Sequence, residues 1–167
     1  MSGRRQVRRF TEIVFILGLL GVLSVPLHAQ ARFDRIGLEQ GLPFGRVICL
    51  LQDRQGYMWV GTRAGLGRWD GYGMTVFRSN PEDRGTLSNT NIWALYEDHN
   101  GTMWIGTEGG GINRYDARTD RFTRYTQNPN DSGSLSQDRV SYIFEDHEDN
   151  LWVATSGGGL DRFDSSR

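Results

Sequence analysis

The ten residues "DRQGYMWVGT" at 53–62 return as "DHNGTMWIGT" at 98–107 and as "DHEDNLWVAT" at 146–155. A catalytic motif is needed once, whereas a structural module is needed many times, so three near-copies point to a repeat architecture. Asp53, Asp98 and Asp146 each stand six residues before a tryptophan, Trp59, Trp104 or Trp152, and the tryptophans are 45 and 48 residues apart. Upstream of each Asp lies a short apolar run, "VICLLQD", "IWALYED" or "VSYIFED". Downstream come a Gly-rich turn, then "GRWD", "NRYD" or "DRFD", and in the first two copies a fourth run, "MTVF" or "RFTRY".

These runs are rich in β-branched and aromatic residues and are bounded by Gly, Asn, Asp and Pro, which is strand chemistry. Beyond the first thirty residues no window sustains a 3.6-residue period. Four short strands in about 45 residues are the signature of a β-propeller blade. The fold class is therefore all-β: three four-stranded antiparallel repeats, too few to close a ring, after a helical signal peptide. The expected boundaries are 1–31 for the signal peptide and 33–77, 78–122 and 123–164 for the repeats, the last lacking its fourth strand.

The repeated letters have physical reasons. Asp followed three residues later by Gly makes a tight turn, with the carboxylate accepting backbone N–H groups and Gly56 or Gly101 taking positive φ. Asp149 holds that place in the third copy. The Trp supplies a large apolar body to wedge between blades. Gly61 and Gly106 allow close approach, with Ala154 as the departure. Trp69, Tyr115 and Phe163 share one aromatic position, and Asp70-Gly71 is a two-residue hairpin signal. "FDRI" at 33–36 matches the fourth-strand position. Three blades cannot form a ring of about 4–8, so the expectation is the first part of a longer protein, with assembly of several chains as the alternative.

The N-terminus is a separate matter. Arg4, Arg5, Arg8 and Arg9 precede an apolar run at Ile13–Val25, followed by an A-x-A pattern at Ala29 and Ala31. That order is a secretory signal peptide, the alternative being an uncleaved anchor helix. Loss of residues 1–29 removes four Arg and one Glu, leaving 15 basic against 19 acidic residues and a net charge of −4. Such a body argues against nucleic-acid partners. Every cation is Arg, which excludes Schiff-base chemistry, and the single Cys49 in an apolar stretch reads as a small buried hydrophobe.

Other chemistry fails for stated reasons. His99 and His147 occupy one repeat position, held by Arg54 in the first copy, and read as solvated turn residues; no metal spacing is present. "DHEDN" at 146–150 lacks the terminal Glu of a calcium loop. "EGGGINR" and "SGGGLDR" precede strands, whereas phosphate loops open helices. No catalytic residue and no cofactor is expected. A quinone-dependent propeller enzyme would need polar residues that are not recognisable here.

A ligand face follows from strand order. The second–third turns and the linkers at 79–91 and 127–139 share one face, and their letters differ between copies. Arg63, Glu108 and Ser156 vary at one equivalent position there and are the candidate ligand-binding residues.

The pattern D-x-x-G-x-[ML]-W-[VI]-[GA]-T-x-x-G-G-[LI]-x-R-[WYF]-D, the linkers "NPEDRGTLSN" and "NPNDSGSLSQ", and "GLEQGLPFGRVICLLQD" at 37–53 resemble the two-component regulator propeller repeat. The resemblance covers about 33–164. It implies a periplasmic sensor region of an inner-membrane signalling protein, with further blades, an immunoglobulin-like domain and a histidine kinase or diguanylate cyclase output beyond this chain. It implies an oligosaccharide or other small ligand and a homodimer of the whole protein. A propeller that only mediates assembly is the alternative. The unpaired third strand expected at 159–163 should make residues 32–167 associate edge to edge when expressed alone. Sizing chromatography with light scattering checks this, and a cooperatively unfolding monomer would refute it.

Overall fold

The computed structural model describes residues 31–164, so the expected signal peptide lies outside the described residues. Eleven strands follow a 3-10 turn at Leu38–Gln40. Blade 1 contains β1 (Val47–Gln52), β2 (Met58–Thr62), β3 (Gly65–Trp69) and β4 (Met74–Phe77). Blade 2 contains β5 (Ile92–Glu97), β6 (Met103–Thr107), β7 (Ile112–Asp116) and β8 (Arg121–Tyr125). Blade 3 contains β9 (Val140–Glu145), β10 (Leu151–Thr155) and β11 (Gly159–Phe163). In each sheet consecutive strands pair antiparallel, in the order in which the chain visits them.

Three local expectations are corrected. Residues 33–36 form no strand, because an extended segment without a ladder partner gains no hydrogen bonds to hold it. β8 runs to Tyr125, past the expected boundary at 122, since Thr123 to Tyr125 still pair with β7. The Asp70-Gly71 turn is a four-residue loop: Trp69 pairs with Met74, and Asp70 Oδ1 accepts from the N–H groups of both Tyr72 (2.8 Å) and Gly73 (2.7 Å).

The Asp–Trp spacing closes a hydrogen bond. Asp53 Oδ1 accepts from the N–H of Gln55 and Tyr57, bending the chain, while its Oδ2 accepts from Trp59 Nε1 at 2.7 Å. Asp98 does the same with Asn100, Thr102 and Trp104 Nε1 (2.8 Å), and Asp146 with Glu148, Asn150 and Trp152 Nε1 (2.7 Å). Gly56 and Gly101 sit at φ of 93° and 80°, and Asp149 takes the same left-handed region at 64°. At the other end of the second strand a threonine closes the next turn: Thr62 Oγ1 donates to Gly65 O, and Thr107 Oγ1 to Gly111 O.

A lone four-stranded sheet cannot bury both faces, so the core lies between blades. Trp59 and Leu66 of blade 1 join Ile92, Ile105, Tyr115 and Phe122 of blade 2 in one cluster. Ala94, Trp104 and Ile112 of blade 2 join Val140, Ile143 and Val153 of blade 3 in the other. The tryptophans are the wedges. Trp59 meets Tyr115 of the next blade edge-on, with centroids 5.0 Å apart, and Trp104 meets Phe163 at 4.9 Å. Successive blades approach so closely that a Cβ on Gly61 would stand 2.9 Å from Ile92 Cγ2, and one on Gly106 2.6 Å from Val140 Cγ1.

Trp104 is 4% exposed, whereas Trp152 is half-buried. Trp104→Ala should therefore cost about 3–5 kcal/mol, the usual range for a buried Trp, and Trp152→Ala clearly less. Denaturant unfolding of the two variants checks the order.

Candidate functional site

The turns divide into two faces. One carries the Asp–Trp turns at 53–57, 98–102 and 146–150. The other carries the β2–β3, β6–β7 and β10–β11 turns with the interblade linkers.

On the linker face, Arg63, Glu108 and Ser156 each follow the threonine that ends the second strand of a blade. Arg63 and Ser156 are exposed, but Glu108 is engaged. Its Oε1 lies 2.8 Å from Arg139 Nε, across an isolated bridge that joins blade 2 to the linker entering blade 3. Glu108 Oε2 and Asn91 Oδ1 are buried acceptors without a partner among the described residues. The backbone of Asp138 also accepts from Gly109 and Gly111, so this glycine turn is tied to the following linker.

The linkers are less variable than their letters. In the first, Asn80 N–H donates to Thr86 Oγ1, and Asp83 Oδ1 accepts from Gly85 N–H. In the second, Asn128 N–H donates to Ser134 Oγ, and Asp131 Oδ1 accepts from Gly133 N–H. Both copies therefore make one scaffolded loop, and the differing letters leave its backbone hydrogen bonds unchanged. Arg124 of β8 clamps the first loop through the carbonyls of Asp83 (2.9 Å), Thr86 (2.9 Å) and Leu87 (3.0 Å).

Two clefts lie between blades. The one between blades 1 and 2 has a volume of about 590 Å³ and is lined by Asp53, Arg68, Glu97, Arg114, Tyr115 and Asp120. Arg68 is boxed by aromatic rings: its guanidinium carbon lies 5.2 Å from the Tyr57 ring centre, 5.6 Å from Trp59 and 5.5 Å from Phe77. It also donates to Asp120 at 3.1 Å. A guanidinium so held is a structural cation–π contact. The wider cleft, about 990 Å³, lies between blades 2 and 3, with Arg114, Arg124, Tyr125, Asp131 and Arg162 among its lining residues. Cys49 offers no chemistry, since burial pushes its thiol up to about 11.

The Asp–Trp face holds an interblade latch that sequence reasoning missed. The Arg54 N–H donates to Glu97 Oε2 of the next blade at 3.0 Å, and the His99 N–H donates to Glu145 Oε2 at 2.7 Å. The signal was the acidic residue before the repeated Asp, at the end of β5 and β9. His99, expected to be a solvated turn residue, also places Nδ1 2.7 Å from Glu145 Oε1, and hydrogen bonding to that carboxylate raises its pKa.

Residues 41–64, 86–109 and 134–157 match the two component regulator propeller family. The chain carries three two-component regulator propeller repeats. Its propeller repeats are 30% identical to the extracellular domain of a hybrid two component system from B. thetaiotaomicron, with a TM-score of 0.74, over 80% of this chain and 19% of that one. A second such extracellular domain from the same organism has a TM-score of 0.64 at 30% identity, over 81% of this chain and 19% of that one. A curated relative, Histidine kinase P4 of Formosa agariphila, is 38% identical over 78 residues, which is 45% of this chain and 6% of the kinase. The chain thus spans a fifth or less of each of these relatives.

In the third propeller repeat, the Trp152 indole N–H, then Asn150 and the Glu148 N–H, hold the Asp146 carboxyl below the usual carboxylate range. A depressed carboxylate contributes stability that is present above its unfolded value of about 3.9 and is lost as pH falls through the folded value. Stability should therefore fall on acidification below about pH 4, and Asp146→Asn should flatten that limb. Urea unfolding across the acid range checks this.

Proposed function

We propose that this chain is the N-terminal part of a periplasmic β-propeller sensor in a two-component signalling protein. The observation that carries the reading is the alignment of 80% of the chain, at 30% identity, with the extracellular domain of a hybrid two component system. The chain itself is a binding and relay module. The catalytic output, a histidine kinase, belongs to the rest of the longer protein, a reading supported by the kinase relative. Export follows from the expected signal peptide, and the whole protein is anchored in the inner membrane.

The ligand is an oligosaccharide taken on the linker face. Arg63 and Ser156 are exposed there, and a guanidinium and a hydroxyl can both hydrogen-bond sugar hydroxyls.

The test is a thermal-shift screen of the whole extracytoplasmic region against oligosaccharide fragments, followed by titration of the best one. The Arg63→Ala/Ser156→Ala double variant should keep its melting temperature and lose about tenfold or more in affinity, because each lost polar contact is worth about 1 kcal/mol or more. Unchanged affinity would remove the linker face from the binding site.

A further inference from the structure

The interblade latch needs only a backbone N–H and a glutamate, as the junction of blades 1 and 2 demonstrates. There Arg54 N–H meets Glu97, the Arg54 side chain turns to the carbonyl of His99 (2.7 Å), and Gly101 fills the turn. The junction of blades 2 and 3 keeps the same latch and adds two groups that it does not require. One is the His99 imidazole in place of the arginine. The other is Asp149, which stands where Gly56 and Gly101 stand and, like them, takes a positive φ. Aspartate is among the few non-glycine residues that take this region, as Asp120 also does, so the turn accommodates the carboxylate.

We propose that His99, Glu145 and Asp149 form a binding site for a divalent transition-metal ion of the zinc type, bridging blades 2 and 3. One ligand atom from each of His99, Glu145 and Asp149 lies within 4.8 Å of the other two. Nδ1 is 2.7 Å from Glu145 Oε1 and 3.6 Å from Asp149 Oδ1. Ligands at the corners of a tetrahedron with bonds of about 2.0–2.1 Å are separated by roughly 3.3 Å, and the two distances bracket that value. The required adjustment is small. Asp149 is exposed, and its side chain is free to close on the ion.

The donor set selects the metal class. One imidazole nitrogen with two carboxylates suits zinc and its neighbours, whereas calcium takes six to eight oxygens. Three protein ligands leave a fourth position for water, or for a group of a partner. The Glu145 side chain is only 9% exposed and is fixed at its other oxygen by the His99 N–H, so one ligand is preorganised by the latch itself. The ion binds the deprotonated imidazole nitrogen and the two ionised carboxylates. Protons compete with the metal for these groups, so binding strengthens as pH rises. Because the ligands come from both blades, the ion would stiffen this junction and leave that of blades 1 and 2 unchanged.

The test is calorimetric titration of the tag-free whole protein with zinc chloride, with thermal unfolding followed in parallel. One zinc ion should bind at about pH 7.5 and raise the melting temperature, and binding should weaken at about pH 5.5. Asp149→Gly restores the residue used by the other blades and relieves the left-handed conformation, so it should fold at least as well as the parent. His99→Arg copies the first junction. Each should keep the fold and lose about tenfold or more in zinc affinity, while His147→Ala should leave it unchanged. Absence of saturable zinc binding, or affinity undiminished in both Asp149→Gly and His99→Arg, would overturn the site. A thermal shift with calcium chloride but none with zinc would overturn the role of the imidazole.

Discussion

A single hydrogen bond, from an indole N–H to an aspartate six residues earlier, organises the molecule. Burying a tryptophan between two sheets is favourable for its rings and costly for its polar N–H. The turn aspartate resolves the conflict at all three positions, with N···O distances of 2.7–2.8 Å. The same carboxylate holds the turn closed through two backbone N–H groups, so the turn is rigid where the ring enters the interface. Turn geometry, ring orientation and blade spacing are therefore one constraint, and each cross-strand arginine, Arg68, Arg114 or Arg162, sits opposite its tryptophan within that frame.

Blade-to-blade contact repeats the same elements at both junctions. An aromatic from the third strand of the following blade meets the tryptophan edge-on, and a glycine in the second strand lets the next blade's first strand come close. A glutamate at the end of that first strand reaches back to the preceding turn. The residues at the ends of the strands vary from blade to blade: Arg63, Glu108 and Ser156 on one face, and Arg54, His99 and His147 on the other.

Elements governed by local chemistry were legible in the sequence. Strand runs, the Asp-to-Gly turn and the close approach at Gly61 and Gly106 all follow from residues within a few positions of one another. The latch was not legible, because its partners are 43 and 46 residues apart and neither residue type alone predicts the other. Nor was the bulge in each first strand, where Ile48, Trp93 and Ser141 are skipped in the pairing; those three residues share no chemistry that announces it. Of the candidate ligand residues, Arg63 and Ser156 stand exposed as expected. Glu108 is paired to Arg139, which the sequence places in the next repeat. The common shape of the linkers was hidden too, because different letters, Thr86 against Ser134 or Glu82 against Asn130, make the same hydrogen bonds.

Each blade offers its neighbour one kind of surface and receives another, so the contact is head-to-tail rather than self-complementary. Gene duplication therefore has an easy path. Copying or deleting one whole repeat creates a junction between surfaces that already fit, and no compensating substitutions are needed at the seam. A half-repeat change would instead set two tryptophan faces, or two glutamate edges, against each other. Lineages built on such a unit can change their ring size in whole blades while keeping the chemistry of every interface.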